Sequence, residues 1–74
     1  MNYETSDFYL AVVLYALGAN LESVERSGGS RSTFIFGPTE GLQSTIEAYW
    51  KRGLSVEPQC LFSAIKFLKS RIYN

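Results

Sequence analysis

Two arginines bracket a small bend in this chain, Arg26-Ser27-Gly28-Gly29-Ser30-Arg31. A guanidinium presents a planar fork of donors that suits phosphate or carboxylate oxygens. A phosphate cradle of the nucleotide-binding kind needs converging backbone N–H groups at a helix N-terminus, with the GxxxxGK[ST] spacing. This stretch lacks that spacing and leads into a β-rich segment, so it reads first as a tight turn: glycine for positive φ, serine for local hydrogen bonds. With Gly28 and Gly29 at its centre, Arg26 faces Arg31 across the strands. Like charges so placed repel unless an anion lies between them, which makes the tip a candidate anion grip. The second candidate is the basic end of the chain, Lys51, Arg52, Lys66, Lys69 and Arg71, where Lys66, Phe67, Ser70 and Arg71 lie off an apolar helical stripe. There Phe67 could stack a base or nucleotide ring, or form the centre of a protein contact.

Other chemistry is poorly supplied. The chain has no histidine, which removes Ser-His and Cys-His nucleophile pairs, histidine general bases and ordinary zinc sites. The single cysteine, Cys60, excludes an internal disulfide and fits a reducing compartment. At the third position of a helix its thiol is expected to have a lowered pKa. Without a histidine or a second cysteine it reads as a small apolar filler. Thr5, Ser6 and Asp7 read as helix-capping residues. Glu22 and Glu25 fall on opposite sides of a strand, while Glu40 and Glu47 occupy a solvated helix face, so no carboxylate pair is set up for acid–base work. No enzyme activity, cofactor or metal is expected.

The elements that must position these groups are few. Seventy-four residues make one domain over 1–74, and 46% apolar with 15% aromatic content places it in the globular class. Net charge is zero, yet residues 1–50 carry six acids against Arg26 and Arg31, whereas residues 51–74 carry Lys51, Arg52, Lys66, Lys69 and Arg71 against Glu57. Such polarity suits one basic face or head-to-tail contacts. The longest apolar run, Phe8 to Leu17, is ten residues long and too short to span a bilayer. No basic segment precedes it as in a secretory leader, so a cytoplasmic protein without membrane association is expected.

That run predicts a helix starting at Thr5 or Ser6 and ending at Gly18. Leu10, Val13, Leu14 and Leu17 form one face and Phe8, Ala11, Val12 and Tyr15 the other, the pattern of a central helix covered on both sides. Residues 20–26 and 31–36 read as a hairpin pairing Val24 with Thr33 and Leu21 with Phe36. Leu21, Ser23, Phe34 and Phe36 then face the core, leaving Glu22, Val24, Arg26, Arg31, Thr33 and Ile35 outside. Pro38 fits the first position of a second helix with the stripe Leu42, Ile46, Tyr49 and Trp50, closed by Gly53. Pro58 opens a third, with the stripe Leu61, Phe62, Ile65, Leu68 and Ile72. The expected fold is therefore α+β in the order α-β-β-α-α, a two-stranded antiparallel hairpin packed on three helices.

The segments "YETSDFYLAVVLYALG", "VERSGG", "TFIFG", "AYW", "VEP" and "LKSRIY" together resemble a family of short bacterial and phage domains of unknown function. The resemblance covers almost the whole chain and implies a stand-alone domain of phage or mobile-element origin, with no implied activity. Two positions depart from the pattern: Glu57 stands where Asp would cap the third helix better, and Phe67 where a polar residue is expected. The expected function is a non-catalytic, self-associating binding module acting on a protein partner through Phe67, Val24 and Ile35. The alternative is an anionic nucleic acid or nucleotide held by Arg26, Arg31, Lys66, Lys69 and Arg71, as in a sponge-like counter-defence protein.

Overall fold

The computed structural model describes residues 2–26 and 31–73, so the turn expected at Gly28 and Gly29 lies outside the described residues. The element order is β1 (Tyr3–Thr5), α1 (Phe8–Ala16), β2 (Leu21–Arg26), β3 (Ser32–Phe36), α2 (Leu42–Trp50) and α3 (Pro58–Tyr73). The α+β class with three helices matches the expectation, but the two-stranded hairpin does not. β1 adds a third antiparallel strand, giving the sheet order β1-β3-β2. A hairpin alone leaves both edges of β3 and β2 to be managed, and the short opening strand pairs Tyr3 with Phe36 and Thr5 with Phe34 to cover one of them.

The hairpin register agrees with expectation at its base and departs from it at its tip. Leu21 pairs with Phe36 as expected, but an irregularity between Leu21 and Ser23 inserts Glu22 as an extra residue. A bulge of this kind shifts every later pair by one and exchanges the faces. Val24 therefore pairs with Phe34 rather than Thr33, and Arg26 with Ser32 rather than Arg31. Val24 is half-buried against the core and Ile35 is buried on the middle strand, so neither is the exposed contact residue that simple alternation suggested.

α1 is the central helix. Leu10, Ala11, Val12 and Leu14 are all essentially inaccessible, and α3, α2 and β1 all pack against it. Asp7, not Thr5 or Ser6, is its N-cap, accepting from the Leu10 N–H at 3.2 Å, while the Thr5 hydroxyl accepts from the Asp7 N–H at 3.1 Å. Its C-terminus has the expected left-handed glycine: Gly18 has φ 98°, and Ala19 N–H donates to Leu14 C=O at 2.9 Å. The core joins these α1 side chains to Phe34, Phe36, Ile46, Ala64 and Leu68.

α2 begins later than Pro38 suggested, with Gly41 as its N-cap. Ile46 is buried, but Trp50 is 61% exposed and lies outside the core stripe assigned to it. Burial raises the pKa of the Tyr49 hydroxyl, and the Asp7 charge adds to the effect. α3 starts at Pro58 as expected, with Ala64 and Leu68 buried. Its Phe62, also assigned to the stripe, is 59% exposed.

Candidate functional site

The bulge and the packing of α1 on α3 together build a groove. α1 and α3 run antiparallel, since Tyr15 meets Phe67 at one end while Phe8 and Tyr9 share the groove with Ile72 and Tyr73 at the other. The end of the sheet where β2 finishes and β3 begins brings Arg26 from the last position of β2, with Ser32 from the start of β3 and Arg31 just before it. Lys69 enters from the last turns of α3. The resulting space is about 730 Å³, within the range of small-molecule sites.

Its floor is apolar and its rim cationic. Phe34, 1% exposed, lies beneath, with the Phe8 ring tilted against it at 6.1 Å between centroids. Tyr9 meets Phe8 edge-on at 5.6 Å and is itself 70% exposed, while Tyr73, contributed by α3, is 77% exposed. Among the described lining residues three are cations and none is a carboxylate. Like charges gathered without a counter-ion repel one another, and an anion bound among them relieves that repulsion. Because Arg26 pairs with buried Ser32, its side chain starts from the same sheet face as Phe34, which is what turns it toward the groove.

The remaining residues singled out in the sequence lie elsewhere. Phe67 is on the other flank of α3, stacked on Tyr15 at 4.8 Å and 7° between planes, with the Arg71 guanidinium 5.9 Å from its centroid. This Tyr15–Phe67–Arg71 assembly occupies the ring that was a candidate free stacking surface. Lys66 is exposed and does not line the groove. The structure thus brings together Arg26, Arg31 and Lys69 in the groove, leaves Lys66 just outside it on α3, and places Phe67 and Arg71 on the other flank of that helix. Ser6, Phe8, Tyr9 and Tyr73 were missed. The aromatic pair Phe8–Tyr9 and the penultimate tyrosine were visible as residues, but only the α1–α3 pairing makes them neighbours.

Cys60 departs from expectation in the opposite direction to that proposed. The Glu57 carboxylate, the actual cap of α3, accepts from the Cys60 N–H at 2.9 Å. Hydrogen bonds from the Gln59 and Cys60 backbones lower the Glu57 pKa, and the same carboxylate beside the thiol raises that of Cys60. The thiol is exposed yet held in its protonated form, the reverse of an activated nucleophile. Glu57 does therefore cap its helix, its extra methylene notwithstanding.

Among the described residues no group of His, Cys, Asp and Glu could hold a metal ion, and no helix is long and apolar enough to cross a membrane. The molecule is thus a small α+β domain with a cationic, aromatic-lined groove at one end of its sheet. The chain belongs to a family described as a domain of unknown function (DUF5659), matched over residues 1–74. Neither the curated proteins nor the solved structures contain a match.

Proposed function

We propose that this protein is a non-catalytic binding module whose groove takes a nucleotide, its phosphate on Arg26, Arg31 and Lys69 and its base against Tyr9 or Tyr73. The observation that supports this reading is the lining itself: three cations, no carboxylate among the described lining residues, and exposed aromatic rings from both α1 and α3. Phosphate recognition by arginine forks and base stacking on tyrosine are the two interactions a nucleotide offers together. The test is titration with the 5′-phosphorylated thymidine dinucleotide, followed by calorimetry. Each charge-assisted contact contributes about 1.5–3 kcal/mol, so Arg31→Glu should weaken binding by tenfold or more. Undiminished binding in Arg26→Glu and Arg31→Glu, with the fold intact, sinks the reading.

A second reading, protein docking or self-association, has its own support in Trp50 and Leu17, which are 61% and 44% exposed. A large aromatic left in solvent is the residue type most enriched at binding hot spots. Light scattering across a concentration series, with Trp50→Ser as control, separates this surface from the groove. Under either reading the setting we propose is the one the resemblance implied, an accessory protein of a phage or mobile element.

A further inference from the structure

We propose that the groove is one end of a longer track along α3 and that its occupant is a single-stranded nucleic acid. This inference rests on the nucleotide reading of the groove and extends it. Phe62, Lys66, Lys69 and Tyr73 recur at i, i+4, i+7 and i+11 on α3. At 100° per residue they fall within a strip about 60° wide, and at 1.5 Å per residue the strip is about 16 Å long. All four are exposed, Phe62 by 59% and Tyr73 by 77%, while Ala64 and Leu68 point the opposite flank into the core. Lys69 and Tyr73 line the groove itself, so the strip continues directly out of it.

The order along the strip is aromatic, cation, cation, aromatic. A strand with unpaired bases matches both parts, its phosphates meeting lysine and its bases lying on Phe62 and Tyr73. A duplex keeps its bases stacked inside and offers those two rings nothing to stack on. α3 itself carries no Asp or Glu, and Glu57, which precedes it, is engaged with the Cys60 backbone at the helix N-terminus. The strip also accounts for Phe62, whose solvent-facing ring serves no packing purpose in the core.

The experiment compares a ten-thymidine strand with the 5′-phosphorylated thymidine dinucleotide on the intact protein. The track predicts at least tenfold tighter binding of the longer strand. Phe62→Ala should cost that strand about fivefold or more and leave the dinucleotide unchanged. With four cations contacting phosphates, the slope of log K against log salt should be about −2.8, falling to about −2.1 in Lys66→Gln. Equal affinity for both lengths, or an unaltered ten-thymidine affinity in both variants, overturns the track while leaving the groove reading intact if Arg31→Glu still weakens dinucleotide binding by tenfold or more. Equal competition by a duplex of the same length overturns the single-strand assignment. Binding of neither probe overturns the track together with the groove reading. Circular dichroism of Phe62→Ala confirms the fold, and Lys66→Gln, a surface change, supplies the same test independently.

Discussion

Shifting the glycine from position 53 to position 52, as Arg52→Gly with Gly53→Ala, should stabilise the protein. α2 closes with Arg52 N–H donating to Tyr49 C=O at 3.1 Å and Gly53 N–H to Ala48 C=O at 2.8 Å. The residue that must turn left-handed in this motif is Arg52, with φ 61°, whereas Gly53 is not at positive φ. An L-residue there costs about 1–2 kcal/mol. Glycine at 52 removes that strain and gives back about 0.4–1 kcal/mol by loosening the unfolded chain. Alanine at 53 recovers a similar amount, and a Cβ there meets only the Ala48 carbonyl oxygen, at an ordinary 3.8 Å. Losing one cation near the helix C-terminus costs about 0.3 kcal/mol, with Lys51 still in place. The net gain is about 1 kcal/mol, or a rise in Tm of about 4–8 °C for a domain of this size. Scanning calorimetry of the wild type, both single variants and the double variant tests it. An unchanged or lower Tm for the double variant would refute the strain argument.

Three further outcomes follow from the same physical reasoning. Phe36→Ala removes a fully buried ring paired with both Tyr3 and Leu21, and should cost about 3–5 kcal/mol of a total of roughly 4–11, read as loss of most of the urea midpoint. Because the folded Glu57 pKa is lowered, its contribution to stability is present above the usual carboxylate range and lost as pH falls through the folded value; Tm should therefore drop less steeply on acidification below about pH 4.3 in Glu57→Gln than in the wild type. Cys60 should alkylate slowly at pH 8 despite its exposure, and faster in Glu57→Gln, because removing the carboxylate lowers the thiol pKa toward its ordinary value.

Local signals carried the parts of the fold that local chemistry determines. The central helix, its left-handed Gly18 and the start of α3 at Pro58 followed from patterning and capping residues. β1 was illegible because three residues carry no periodicity, and Tyr3–Thr5 becomes a strand only through the edge that β3 presents. The bulge at Glu22 was illegible for a related reason. Its extra residue is held by contacts made elsewhere in the chain, including the Asn2 side-chain amide donating to the Glu22 carboxylate at 3.2 Å. One shifted residue then moved Val24 onto the core face and Arg26 toward the groove.

The same limit applied at the candidate site. Arg26, Arg31 and Lys69 were legible as cations, but their gathering needs the sheet end and the last turns of α3 in one place. Phe67 was legible as an aromatic off the apolar stripe, and its Tyr15 partner lies 52 positions away on a different helix. Trp50 and Phe62 completed helical stripes on paper, yet α2 and α3 are rotated so that Ile46 and Ala64 take the buried positions. Packing of neighbouring elements decides which edge of a wide stripe is covered, and spacing alone does not encode it.

The most direct test of the groove is a nuclear magnetic resonance titration of the isotope-labelled protein with the 5′-phosphorylated thymidine dinucleotide, at low and high salt. The account predicts shifts centred on Phe8, Arg26, Arg31, Ser32, Lys69 and Tyr73, weakening as salt rises. Shifts centred on Tyr15 and Phe67, or none at millimolar ligand, would contradict it.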